Sequence, residues 1–181
     1  MPAIPTGLAS RKGDATEAMN EWYRARSIGG VGLILVEPAH VVRGNGERES
    51  SRVPGEFSPR LVIDERSDHE ALRSLAEAIR LSGAVPGISL ELPTELATAD
   101  AALKDFKEWS TAIGVASSAS DRAGFKVIEL VFSHDGVVHR SLRRATNRRT
   151  DRFGRGEAGR FRLARELARS AVTAKIGRAH V

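Results

Sequence analysis

The chain has 181 residues, of which 41% are hydrophobic and 28% charged, and it carries a formal net charge of +5. That length can bury a core, and the composition is that of a globular chain and not of a disordered one. Cysteine is absent, which excludes a disulfide framework, a thiolate metal site, an iron–sulfur cluster and a cysteine nucleophile within these residues.

In chain order, the first predicted element is a helix over 16–28. Thr16 can cap it, Glu17 lies in its first turn, and Met19, Trp22, Tyr23 and Ala25 make an apolar side. Gly29 and Gly30 break the helix, and VGLILV at 31–36 is a continuous apolar run closed by Pro38. Such a run predicts a strand buried on both faces, as in a parallel sheet. Residues 39–66 are polar and rich in Gly, Ser and Arg, which predicts a long loop. Ser67, Asp68, His69 and Glu70 match a capping box that opens a helix through Leu72, Leu75, Ala76 and Ile79. Gly83 can close that helix, and 85–92 form the next predicted strand.

A third helix is predicted over 100–122, with Leu103, Phe106, Trp109 and Ile113 on core positions. Ala123 and Gly124 turn the chain into a strand over 127–132. About twenty residues of loop follow. A basic helix then runs from Glu157 to Thr173, with Phe161, Leu163, Ala164 and Leu167 as its core side. Strands alternating with helices imply right-handed crossovers and a parallel sheet. The first helix has no strand before it unless Met1–Ile4 is that strand's end.

The positive charge is concentrated. Between Arg140 and Arg169 eleven arginines stand against Asp151, Glu157 and Glu166. Only Phe153 and Phe161 lie in this stretch, too few aromatics to stack on single-stranded bases. The arginines therefore read as a solvated or structural face, and no nucleic-acid partner is expected. No apolar run approaches the roughly 18 residues of a membrane span, and no signal-peptide layout opens the chain. No membrane association and a cytoplasmic location are expected. Histidine and carboxylate spacings fit no metal site, and neither G-x-G-x-x-G nor a P-loop occurs.

Three stretches carry a family resemblance. Residues 16–26 (TEAMNEWYRAR) followed by 29–37 (GGVGLILVE) are similar to the first helix and second strand of the old yellow enzyme family, the FMN-dependent NAD(P)H:flavin oxidoreductases. Residues 123–130 (AGFKVIEL) look like that family's fourth strand. Residues 147–154 (NRRTDRFG), followed by Arg160 and Phe161, resemble its N-x-R-T-D-x-Y/F-G signature. The three occur in the family's order and together cover nearly the whole chain.

The resemblance implies a (β/α)8 TIM barrel with FMN at the carboxyl ends of its strands, NAD(P)H as reductant and a small-molecule electron acceptor. A complete barrel needs about 250 residues, so 1–175 are expected to be the N-terminal half of that domain, its first four or so βα units. The family's phosphate-binding turns near strands seven and eight would lie outside it. Residues 176–181 (IGRAHV) are expected to be a non-native tail. A homo-oligomer is an option for the full-length protein.

The resemblance also assigns residues. Pro2, Ala3 and Ile4 match the strand end that lays its backbone against the flavin, and Pro38 matches a flavin-side contact. His134 matches the second member of the family's His-x-x-His or His-x-x-Asn pair, which hydrogen-bonds the acceptor's carbonyl or nitro oxygen. The first member is replaced by Val131, and the tyrosine that supplies a proton is replaced by Gly136. Ser89 stands where the family has a glutamine facing the flavin. Asn147, Arg149, Thr150 and Asp151 are read as holding the long loop and capping the helix after it. His40 and His69 read as a loop residue and a helix-cap neighbour. These departures keep two alternatives open: a non-catalytic flavin-barrel paralogue with a binding role, and, last, a basic nucleic-acid-binding module.

Overall fold

The computed structural model describes residues 1–41, 59–92, 103–132, 137–143, 145, 147, 149–154 and 156–176. In chain order the elements are α1 (Glu17–Ile28), β1 (Leu33–Val41), β2 (Val62–Ile63), α2 (His69–Leu81), β3 (Val85–Glu91), α3 (Leu103–Ala123), β4 (Val127–Val131), α4 (Val137–Leu142) and α5 (Gly156–Ile176). The strands form one parallel sheet in the order β2-β1-β3-β4. From β1 through β3 to β4 the order advances in one direction. Right-handed crossovers then place α2 and α3 on the same face of the sheet.

Local chemistry explains the helix ends. The Thr16 hydroxyl accepts from the Met19 amide and caps α1, as its sequence predicts. The second cap differs from the expected box. Asp68 is the N-cap of α2, accepting from the Glu70 and Ala71 amides. Ser67 instead accepts from the Asp64 amide and donates to the Val62 carbonyl, which binds the turn after β2. A carboxylate at the cap also meets the positive end of the helix dipole. Gly83 and Gly124, both with φ above +100°, leave α2 and α3 in the left-handed conformation that favours glycine.

The core lies between the sheet and its helices. Ile34, Val36, Ala39 and Val41 of β1 and Ile88 and Leu90 of β3 pack with Leu72, Leu75 and Ile79 of α2 and Trp109 and Ile113 of α3. Burying such side chains stabilises by about 1.5–3 kcal/mol each. Leu163 and Leu167 dock α5 onto α3, where the Ser110 and Ser170 hydroxyls also meet at 2.5 Å. Phe161, expected in that core, is 48% exposed, and Ala25 of α1 is exposed as well. At the amino end the Ser27 hydroxyl donates to the Ile79 carbonyl and accepts from the Ala84 amide, pinning α1 and α2 to the turn into β3.

Three expectations change at element scale. The first apolar strand extends past Val36 to Val41, so 39–41 belong to the sheet. Val62 and Ile63 add a short parallel strand inside the predicted loop. The loop before α5 contains the six-residue helix α4. The N-terminal residue also joins the sheet: the Met1 ammonium donates to the Leu33 carbonyl, and the Leu35 amide donates to the Met1 carbonyl at 3.0 Å. This pair is a parallel bridge opposite Ile34. Because the Gly32 carbonyl faces β3, the neighbouring Leu33 carbonyl faces away from it. Met1 therefore lies beside β1 on the β2 edge, ahead of α1.

Candidate functional site

The strand registers sort side chains into layers on the face turned away from α2 and α3. Leu33 is level with Val85, and Leu35 with Gly87 and Val127. A register shift between Val36 and Pro38 leaves Glu37 out of the ladder. Above it Pro38 is level with Ser89 and Glu129, and His40 with Glu91 and Val131. The bulge reverses the inward–outward parity of β1, as one extra residue must. Without it Pro38 and His40 would point into the helix layer. Pro38 has no amide hydrogen to give the ladder, which suits an irregular position.

The layers change character along the strands. Leu33, Leu35, Val85 and Val127 make the amino end apolar, whereas Ser89, Glu129, His40 and Glu91 make the carboxyl end polar. Gly87 leaves room for this packing, since a Cβ there would lie 2.6 Å from Leu35 Cδ2 and 3.1 Å from Val127 Cβ. The Ser89 hydroxyl donates to Glu129 across the β3–β4 pair. Ser89 is thus fully buried one layer below the strand end. The residue presented at the carboxyl end of β3 on this face is Glu91, a carboxylate.

A charged cluster tops the sheet. Arg60 Nη1 donates to Glu91 Oε2 at 3.2 Å and lies 3.4 Å from His40 Nε2, which is 3.8 Å from the same carboxylate oxygen. The side chains of Arg60 and Glu91 are each 13% exposed, and His40 is buried. His40, expected in a loop, is a strand residue held by β1. At such burial the guanidinium–carboxylate pair sits in a medium less screening than water, so its field at the end of the sheet is strong.

Beneath the cluster Glu37 ties the segment together. Its buried carboxylate accepts from the Thr6 amide at 2.7 Å, from the Thr6 hydroxyl, and from the Leu61 amide at 3.0 Å. Its own amide donates to Tyr23 Oη at 2.8 Å. One side chain therefore fixes the N-terminal segment, the start of β2 and, through Leu61, the neighbour of Arg60. Burial, helped by the nearby Glu37 charge, pushes the Tyr23 phenol well above its usual range.

Of the residues assigned by resemblance, Pro2, Ala3 and Ile4 run beside β1 between the Met1 bridge and the Thr6–Glu37 contact. Pro2 and Ile4 are exposed and Ala3 is half-buried. Pro38 lies on the helix-free face directly below His40. His134, with Asp135 and Gly136, lies outside the described residues. Val131 ends β4 level with Glu91. Sequence reading missed Glu37, Arg60 and Glu91. An acid closing an apolar run before a proline, and a Ser-x-Glu alternation within a strand, were the available signals. Among the described residues no group of three or more His, Asp or Glu side chains is placed to hold a metal ion.

The signature stretch forms a knot of its own. Asn147 Nδ2 donates to the Phe153 carbonyl at 3.0 Å, and its Oδ1 accepts from the Arg149 amide. Asp151 accepts from the Phe153 amide and pairs with Arg149, whose guanidinium holds that carboxyl below the usual range. Arg152 lies over the Phe153 and Phe106 rings and pairs with Glu166 of α5. Gly154 is required by a close approach: a Cβ there would lie 1.9 Å from the Arg149 carbonyl oxygen. A surface depression of about 230 Å³ between α2 and the turn from α3 into β4 is lined by Arg73, Glu77, Arg80, Arg122 and Lys126.

Comparison with known proteins places this architecture. No protein-family model matches the chain. It is 27% identical over 189 residues to the NADPH dehydrogenase of Listeria monocytogenes, covering 93% of this chain and 53% of that protein. It is 28% identical to an NADH-dependent flavin oxidoreductase of Aspergillus parasiticus, over 92% of this chain and 43% of that one. In fold it matches the crystal structure of an old yellow enzyme from Pichia sp. with a TM-score of 0.78 and 18% identity, over 96% of this chain and 52% of the other. The chain thus spans about half the length of the curated relatives it matches. The old yellow enzyme resemblance holds in sequence and in fold, and the sheet is part of a TIM barrel.

Proposed function

We propose that the intact protein is an FMN-dependent oxidoreductase of old yellow enzyme type, reduced by NAD(P)H and passing a hydride to an activated alkene or a similar small acceptor. The observation that carries this reading is the similarity to flavin oxidoreductases over more than nine-tenths of the chain, on a sheet whose polar layer lies at the carboxyl ends of parallel strands. Barrel active sites lie at that end.

The donor set at that end fits a flavin. An isoalloxazine's pyrimidine edge offers two carbonyl acceptors and one N–H donor. Arg60 can donate to a carbonyl and Glu91 can accept from an N–H, while Pro38 beside them is compact enough to let a ring approach. Bound FMN would supply the hydride chemistry. The chain's own part is to orient the ring, to present donors at the acceptor's oxygen and to exclude water. Pro2, Ala3 and Ile4 are proposed to border the ring through their backbone. His134 is proposed as the donor that polarises the acceptor, an oxyanion-type role.

Val131 favours a second reading. It occupies the end of β4, level with Glu91, and its side chain donates no hydrogen bond. With one donor in place of two, acceptor polarisation is weakened, as expected for a paralogue that binds flavin without efficient turnover. Protein purified from the intact gene is expected to be yellow and to be bleached by NAD(P)H. Colourless protein that takes up no added FMN contradicts the leading reading. Bleaching without turnover across a panel of enones selects the second.

A further inference from the structure

The depression between α2 and the turn from α3 into β4 is walled by neighbouring elements of this chain, within residues 73–126. Its floor is small and apolar. Ala76 and Ala123 are buried, and Gly124 brings the turn so close that a Cβ there would lie 3.9 Å from Ala76 Cβ. Its rim is long and cationic. Arg73 and Arg80 stand two helical turns apart on one face of α2, and Arg122 and Lys126 line it from the other wall. All four are exposed. Glu77 is the one carboxylate among the described lining residues.

Helix chemistry explains only part of this cluster. A basic residue in the last turn of a helix meets the negative end of its dipole. That covers Arg80 and Arg122, but neither Arg73, in the second turn of α2, nor Lys126, beyond the end of α3. The helix ends do not use the guanidinium groups as caps either. The Ile79 and Arg80 carbonyls accept from the Ala84 and Gly83 amides, and the Ser120 and Asp121 carbonyls from the Phe125 and Gly124 amides. Arg73 pairs with Glu70 at 3.2 Å. Arg80, three residues after Glu77 on the same helix, makes no ion pair among the described residues, and neither does Arg122. Like charges around one concavity repel each other and raise its potential, and a bound anion removes that cost. We propose that this depression binds a phosphate group, free or as a monoester. Cations converging from two walls match its tetrahedral set of charged oxygens, whereas one guanidinium fork already matches a planar carboxylate. The volume of about 230 Å³ is several times the roughly 30 Å³ share of one water, which leaves room for the group and its nearest waters. The inference rests on α2 and the turn, and on no property of flavin.

The test is calorimetric titration of inorganic phosphate, and separately of glycerol phosphate, into protein from the intact gene at constant ionic strength. The protein is first loaded with FMN and freed of the excess, so that a flavin-phosphate site is already filled. Saturable binding in the millimolar range is expected, as suits exposed and screened contacts. Arg80→Gln and Arg122→Gln should each weaken it at least about fivefold, while Arg165→Gln on α5, exposed as well, leaves it unchanged. Glu77→Gln removes the lining carboxylate and should tighten binding at least about twofold, a gain that misfolding does not produce. Binding of both ligands supports a site for the group wherever it is carried, and binding of one alone supports the site and assigns its source. No saturable binding of either, equal affinity in Arg80→Gln, Arg122→Gln and Arg165→Gln, or weaker binding in Glu77→Gln overturns the proposal. Protein that takes up no FMN is titrated in the same way, so this inference and the flavin reading fail separately.

Discussion

Glu37 carries more of the site's geometry than any other side chain described. It accepts three hydrogen bonds, two from half-buried Thr6 and one from the buried Leu61 amide, on two separate segments. Glu37→Ala strands those donors and is expected to cost about 3 kcal/mol in urea unfolding, since bonds to a charged group are worth about 1.5–3 kcal/mol each and losses within one network are not additive. Tyr23→Phe removes only the acceptor for the Glu37 amide and should cost about 1 kcal/mol. Tyr23 is the single tyrosine of the chain, so its titration can be followed directly by ultraviolet absorbance. Its folded phenol titrates above the ordinary value, whereas the unfolded chain releases the same proton near pH 10. The unfolded state then binds fewer protons, and stability falls as pH rises beyond about 10. Tyrosinate absorbance should therefore appear together with unfolding and not before it. Asp151 has the opposite sign. Arg149 lowers its folded value, so its contribution is present above the ordinary carboxylate range and is lost as pH falls through the folded value. Asp151→Asn should flatten that acid limb of the stability–pH curve.

At the scale of elements, the alternation of apolar runs with amphipathic stretches made the sheet and its three covering helices legible. The Thr16 cap, the glycine after α2 and the turn at Gly124 were legible for the same reason, each being a local preference with a local partner. What escaped was set by contacts distant in sequence. Val62 and Ile63 are strand only because His40 and Val41 lie beside them, and the bulge at Glu37 turns His40 to the helix-free face. No periodicity within β1 signals that reversal. Arg60 reached the site in the same way, carried there by the Leu61–Glu37 bond. Of the candidate site, Pro38 was reached through the family resemblance alone, and the charged cluster above it not at all. Gly13 illustrates the cost of such long-range fits. Its φ is +80°, and a Cβ would lie 2.5 Å from Val62 Cγ2. Gly13→Ala should destabilise by about 2 kcal/mol or more through overpacking and backbone strain, measured by thermal or urea unfolding.

For the molecule as a whole, the layered face unites the observations. Apolar residues line its amino end, a serine–glutamate pair crosses its middle, and an arginine–glutamate–histidine cluster closes its carboxyl end. That gradient suits a barrel with a packed floor and a reactive mouth. The eleven arginines between Arg140 and Arg169, which first suggest a nucleic-acid ligand, include Arg149 and Arg152 in the knot around Phe153. The proposed holding of the flavin by the carboxyl-end cluster is tested most directly by FMN titration of the protein from the intact gene, by quenching of flavin fluorescence, beside Glu91→Ala and Arg60→Met. Saturable quenching in the wild type, weakened at least about tenfold in both variants and equivalent to about 1.4 kcal/mol, is the expected result. Equal affinity in all three proteins, or no quenching in the wild type, would contradict it.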